Sequence, residues 1–87
     1  QGRDAEAEAA FTEAIRRRPM DWLLHSASGS FYLVRKRLPE AEAAFLKARE
    51  LTPDNNIVLR LLGNVYLWRG RFPEAADVYR ASLRHQP

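Results

Sequence analysis

The sequence predicts an all-α stack of antiparallel helix pairs, and three observations carry that prediction. Prolines stand at Pro19, Pro53 and Pro87, 34 residues apart each time, and self-similarity at a fixed period of roughly 20–50 residues marks a repeat array. The same shift superposes Ala7, Ala41 and Ala75, then Phe11, Phe45 and Tyr79, then Ala14, Ala48 and Ser82. Gly29 falls on Gly63, Tyr32 on Tyr66, and Pro39-Glu40-Ala41 on Pro73-Glu74-Ala75. Within each period apolar residues recur at three- and four-residue steps, without strand-like alternation.

Five helical segments follow. The first, over residues 4–17, places Ala7, Ala10, Phe11, Ala14 and Ile15 on one stripe of an Ala- and Glu-rich, helix-forming sequence. Pro19 ends it, because the residue before a proline is pushed out of the helical region. The second, over residues 21–35, takes Asp21 as its N-cap. Leu24, Ser28, Phe31 and Tyr32 form one side of it and Leu23, Ala27, Ser30 and Val34 another. Such a broad apolar surface predicts a helix covered on two sides.

The third helix opens at Pro39, where a missing N–H costs nothing, and Glu40 and Glu42 favour that same positive end. Its stripe is Ala41, Ala44, Phe45, Ala48 and Leu51. Thr52-Pro53-Asp54-Asn55 reads as a turn carrying the cap of the next helix. A fourth helix spans residues 56–69, with Gly70 as its C-terminal glycine, and a fifth spans residues 73–85. The loops are three to five residues long, so successive helices are antiparallel neighbours.

Composition narrows the function classes. Eighty-seven residues make one small domain. Cysteine is absent, which excludes disulfides and thiolate metal sites. No apolar run approaches the roughly 20 residues that span a bilayer. The chain begins Gln-Gly-Arg-Asp, without Met or a signal-peptide pattern, and reads as a piece of a longer protein. Its first 19 residues look like the second half of a unit whose first half is missing. The net charge is +3, and the basic runs Arg16-Arg17-Arg18 and Arg35-Lys36-Arg37 lie at helix ends, where cations complement the helix dipole. An anion-binding patch is the competing reading of those runs.

These residues resemble the tetratricopeptide repeat. The resemblance rests on the 34-residue period, the paired Gly29/Ala41 and Gly63/Ala75, the aromatics Tyr32, Tyr66, Phe45 and Tyr79, and the terminal prolines. It implies a right-handed superhelical solenoid in one domain, residues 1–87: a half repeat at residues 2–21, a full repeat at 22–55 and a nearly full one at 56–87. It implies that Gly29 and Gly63 face Ala41 and Ala75 where helices approach closely. The sequence departs from the pattern at His25, Ser28, Phe31, Lys36 and Val65, where Lys36 stands in the register of Gly70. Those departures predict a looser junction in the first full unit.

In this family the first helix of each pair lines a concave face where partners lie. The resemblance carries that role to Leu23, Ser26, Ser30 and Leu33 in one unit and to Ile57, Arg60, Asn64, Leu67 and Trp68 in the next. Ala27, Val34 and Leu61 occupy further groove positions of the same face. Asn64 and Arg60, one turn apart, suit clamping the backbone of an extended peptide, and Trp68 suits anchoring an apolar side chain. The expected partner is a protein or peptide, and the chain is a scaffold module of a larger multidomain protein. Packing against absent repeats is the competing reading of the same residues. A lysine- and asparagine-rich clamp for acidic chaperone C-termini, known in a subset of the family, has Ser26, Ser30, Ile57 and Leu61 at its positions here, so that ligand is not expected.

Catalysis has little support. His25 and His85 lie in different units without a carboxylate at ligand spacing. The glutamates Glu6, Glu8, Glu13, Glu40, Glu42, Glu50 and Glu74 read as solvated surface charges. No glycine-rich phosphate loop is present. The chain is therefore expected to be a non-enzyme without cofactor or metal. Nucleic acid is not the expected partner, because the groove positions are Leu, Val and Ile and the arginines form no continuous stripe. Membrane insertion is not expected either. Self-association, a homodimer through the first helix's apolar face of Ala7, Phe11, Ala14 and Ile15, stays open as an alternative, as does a spacer role.

Overall fold

Each helix starts and stops at the punctuation in its sequence. The structure, a computed structural model, describes residues 2–84. These form α1 (Gly2–Arg17), α2 (Trp22–Val34), α3 (Leu38–Leu51), α4 (Asn56–Trp68) and α5 (Phe72–Arg84), and among the described residues there is no strand. His85 and Pro87 lie outside the described residues. Asp21 caps α2, its carboxylate accepting from Leu23 N at 3.0 Å. Asn55 caps α4, its Oδ1 accepting from Ile57 N at 3.0 Å and Val58 N at 3.3 Å.

Both first helices end in the same turn. Arg37 N donates to Tyr32 O at 2.9 Å and Lys36 N to Leu33 O at 3.0 Å. One unit later Arg71 N donates to Tyr66 O at 2.8 Å and Gly70 N to Leu67 O at 3.1 Å. This paired closure needs a left-handed residue. Gly70 supplies it at φ 75°, and Lys36 supplies it at φ 60° without glycine's freedom. The turn shortens the predicted helices: α2 stops at Val34 and α4 at Trp68, because Arg35 and Arg69 already serve as C-caps.

The helices pack as hairpins, α2 on α3 and α4 on α5, with α3 against α4 joining the pairs and α1 docked more lightly on α2. The molecule is elongated, 38 × 26 × 17 Å, as a stack in which each unit touches its neighbours should be. The buried core joins Ala41 and Phe45 of α3 to Leu59, Leu62, Val65 and Tyr66 of α4, and to Ala75 and Val78 of α5. From α2 the half-buried Tyr32 and Leu33 pack against it.

The structure sharpens four expectations. The glycines lie directly against aromatic rings: a Cβ on Gly29 would lie 2.8 Å from the ring of Phe45, and one on Gly63 would lie 2.5 Å from Tyr79. The missing side chain makes room for a ring. Second, α2 packs on α3 and, more lightly, on α1, but one stripe of it, Leu23, Ala27 and Val34, stays exposed. Third, Glu8 and Glu42 are not solvated charges. Glu8 accepts from the Tyr32 hydroxyl at 2.9 Å and from Arg37 at 3.0 Å. Glu42, 34 residues later, accepts from Arg69 at 2.9 Å and Arg71 at 3.2 Å, and its side chain is only 13% exposed. Fourth, the run Arg35-Lys36-Arg37 does more than complement a dipole. Arg35 donates to Phe31 O, as a helix-end cation should, and also to Asp4 at 2.8 Å.

The result is an ion-pair clasp repeated at the period of the fold, Glu8 to Arg37 and Glu42 to Arg71, each tying one unit to the next. Bonds from Arg37 and then Tyr32 hold the Glu8 carboxyl below the usual carboxylate range. The bond from Arg35 does the same for Asp4. Burial, then the Glu8 bond, pushes the Tyr32 phenol up. The half-buried Phe11 meets Phe31 at 5.5 Å, and the guanidinium of Arg35 lies 3.9 Å over the Phe31 ring. His25 is a buried junction residue, its Nε2 2.8 Å from Pro19 O, where it secures the turn between α1 and α2.

Candidate functional site

Helix periodicity decides which residues of α2 and α4 stay open. One side of α4 carries Val58, Leu59, Leu62, Val65 and Tyr66 into the core. The opposite stripe, Ile57, Arg60, Leu67 and Trp68, is exposed, with Leu61 and Asn64 half-buried along it. On α2 the corresponding open residues are Leu23, Ala27 and Val34, beside the half-buried Ser30. Exposure of Leu23, Val34, Ile57, Leu67 and Trp68 runs from 45% to 75%. Single exposed apolar residues are ordinary. Here they occupy matching register positions, Leu23 with Ile57 and Val34 with Trp68, on two helices in contact.

Eight of the nine sequence-predicted residues lie wholly or partly open: Leu23, Ser30, Leu33, Ile57, Arg60, Asn64, Leu67 and Trp68, with Leu33 also packed against the core. Ser26 is buried, on the side of α2 where the small residues Ser26, Ser28 and Gly29 turn inward.

Asn64 and Arg60 line a hollow of about 400 Å³ together with Asn56, Tyr79, Ser82 and Leu83. In the preceding unit the equivalents of Tyr79 and Ser82 are Phe45 and Ala48, both fully buried. The polar versions hold the hollow's acceptors. The Tyr79 hydroxyl donates to Asn64 Oδ1 at 2.5 Å, and Ser82 Oγ donates to Asn56 O at 3.2 Å. Asn64 thus faces the hollow with its amide nitrogen free to donate, beside the guanidinium of Arg60.

Sequence reasoning missed Lys36 as a site residue. Its ammonium lies 5.6 Å from the centre of the Trp68 indole, within cation–π range. The register mismatch between Lys36 and Gly70 was the available signal, since it marks a side chain emerging from a left-handed turn. It also missed Tyr79 and Ser82 as parts of the hollow, because both read as packing positions.

The chemistry of this face is that of recognition. It offers apolar surface, an indole, two cations and amide donors. Among the described residues no group of His, Asp and Glu could hold a metal ion, and no helix is long and apolar enough to cross a membrane. Comparison with curated proteins finds no match. The family model described as tetratricopeptide repeat matches residues 1–56 and again residues 44–87. The chain accordingly belongs to the tetratricopeptide repeat family, whose repeats are generally protein–protein interaction modules.

Proposed function

We propose that the chain is a non-enzymatic scaffold module within a longer protein, and that its partner is a protein segment docked along the open face of α2 and α4. The half repeat and the two larger units act as one surface in this reading. The observation that carries it is the stripe of exposed apolar residues in which Leu23 matches Ile57 and Val34 matches Trp68 in register, with Leu67 beside them. That stripe would bury its apolar area only against another molecule. Nucleic acid suits it poorly, since the cations on these two helices and the turn after α2 form no continuous row and the stripe offers mainly aliphatic contact.

Trp68 is the expected anchor, because aromatic residues dominate interface energetics and truncating one typically costs about 2 kcal/mol. Partners captured from a lysate by the wild-type chain should be lost by the Ile57→Ala/Trp68→Ala variant, which keeps the core and so the helical circular dichroism. Equal capture by both proteins would overturn the reading.

A second observation favours self-association through α1. Ala7, Ala10, Phe11, Ala14 and Leu24 line an apolar hollow of about 340 Å³ between α1 and the start of α2. In this reading two copies cover that face mutually. Sedimentation should then detect a concentration-dependent dimer that Phe11→Asp abolishes, and a monomer at all concentrations would reject it.

A further inference from the structure

Helix α5 lies at one end of the described stack, and its outward stripe differs from those of α1 and α3. Phe72, Ala76, Tyr79 and Leu83 recur at four- and three-residue steps and share one side of α5. Phe72 and Leu83 are exposed, at 61% and 67%, and Ala76 and Tyr79 are half-buried between them. The same register positions read Asp4, Glu8, Phe11 and Ile15 on α1 and Leu38, Glu42, Phe45 and Arg49 on α3. Both of those stripes carry a glutamate at the second position, where α5 has Ala76.

That glutamate is what each following unit grips. Arg37 holds Glu8, and Arg69 and Arg71 hold Glu42, all from the turn after the next first helix. A further unit stacked on α5 in the same way would bring its arginines to a stripe without an acceptor. The stripe instead complements itself. Phe72 and Leu83 lie equally far from the midpoint between residues 77 and 78, and so do Ala76 and Tyr79. A two-fold axis through that midpoint sets Phe72 against Leu83 of a second copy, and the Tyr79 ring over Ala76 of that copy, large on small. The same operation would set Glu42 on Phe45 in α3 and Glu8 on Phe11 in α1, a carboxylate on a ring each time. Charge agrees with the pairing on α5. Asp77 and Arg80 are exposed and bonded to each other within the helix at 2.6 Å. The two-fold brings Arg80 of each copy to within about 3 Å of the level of Asp77 of the other, so opposite charges also meet across the contact.

We propose that a second copy of this chain docks on α5, the two helices antiparallel about a two-fold axis through the middle of the stripe. The contact uses the same patch on both copies, so it closes as a dimer and does not extend into a fibre. Residues 72–83 span roughly 17 Å of helix. So short a contact belongs with transient assemblies, with a dissociation constant on the order of 100 μM. It is independent of the α1 face considered above, which lies at the other end of the stack.

Sedimentation of the 87-residue chain from about 5 μM to about 1 mM should show a monomer passing into a dimer. The decisive comparison mixes two variants. Asp77→Arg leaves two cations on each α5 and Arg80→Asp leaves two anions. Each alone should self-associate about tenfold more weakly, since the symmetry removes two exposed charge contacts at once. Mixed in equal amounts they should form a heterodimer of wild-type strength, because every contact then joins opposite charges. Both positions are exposed, so both variants keep the fold. Ala76→Glu restores the residue of α1 and α3 and should abolish pairing by setting a carboxylate against the Tyr79 ring. Phe11→Asp, which silences the α1 face, should leave this association unchanged. A monomer at every concentration, or a mixture that associates no more strongly than its components, would overturn the proposal. So would association that survives Ala76→Glu and is lost in Phe11→Asp.

Discussion

The pair α2/α3 and the pair α4/α5 share a backbone plan and differ in what fills it. On α4 the inward residues are Val58, Leu59, Leu62, Val65 and Tyr66. On α2 the buried residues are His25, Ser26, Ser28 and Gly29. Leu59 stands in the register of His25 and Leu62 in that of Ser28. The C-terminal pair is therefore held by aliphatic burial. On the N-terminal side, α3 still buries Ala41 and Phe45, but α1 is held to α2 by a buried imidazole on a turn carbonyl, tilted rings and arginine clasps. One repeat geometry can thus be maintained by two sets of forces, and they respond differently to mutation and pH.

The sharpest probe of that contrast is Leu62→Ala against Ser28→Ala. Leu62 is fully buried in the core cluster, and removing such a side chain costs about 3 kcal/mol through lost transfer energy and the residual cavity. Ser28→Ala should cost less than about 1 kcal/mol, since little volume is lost. Urea denaturation of both variants measures the difference. Equal losses would mean that α2 carries as much of the stability as α4.

Glu42→Ala should come next. It strips Arg69 and Arg71 of a shared, well-covered carboxylate and should cost about 2 kcal/mol, the usual range for a bond to a charged group. Glu8→Ala should cost less, because its clasp with Arg37 is more open to water. The N-terminal clasps should also be acid-sensitive. Glu8 and Asp4 have folded pKa values lowered from ordinary values of 4.5 and 3.8. Their stabilisation is complete above those ordinary values and is lost as pH falls through the lowered ones. Hydrogen-exchange protection factors in α1 should therefore fall as pH drops below about 4, before those of the aliphatic α4/α5 pair. Simultaneous loosening of both pairs would contradict the division of forces.

Glycine substitution separates the pairs in another way. Gly29→Ala drives a Cβ into Phe45, which is fully buried and cannot retreat. Overpacking of that kind costs about 1–3 kcal/mol, partly offset by roughly 1 kcal/mol of helix propensity. Gly63→Ala makes the shorter contact, yet Tyr79 is half-buried at the end of the stack and its ring can swing outward. Thermal melts should show Gly29→Ala as the more damaging variant, against the order of the two distances.

Much of this architecture was legible in the sequence, because period, caps and prolines act locally. Asp21, Asn55 and Gly70 each specify a helix boundary through a bond or a dihedral that needs no tertiary partner. The open stripe was legible for a related reason: a helix with one apolar side committed to the core leaves the other side out. The burial of Ser26 was not legible, because it depends on how neighbouring helices approach, which no spacing encodes. The clasps of Glu8 and Glu42 were missed for the same reason. A glutamate reads as solvated until the arginine 29 positions later is known to fold back onto it.

The smallest effect concerns the one place where the N-terminal pair violates the plan outright. Lys36 occupies a left-handed position that Gly70 fills one unit later, with the same pair of turn hydrogen bonds closing around both. An L-residue pays roughly 1–2 kcal/mol for that conformation. The contact with the Trp68 ring returns part of it, about 0.5–1 kcal/mol at an exposed site. Lys36→Gly should therefore stabilise the fold by about 0.5 kcal/mol, less than relief of strain alone would give. In a Trp68→Ala background there is no ring to lose, and the same substitution should stabilise by about 1 kcal/mol. This double-mutant cycle isolates the contact. A gain independent of Trp68 would show that Lys36 contributes nothing across the two units, and that the turn merely tolerates it.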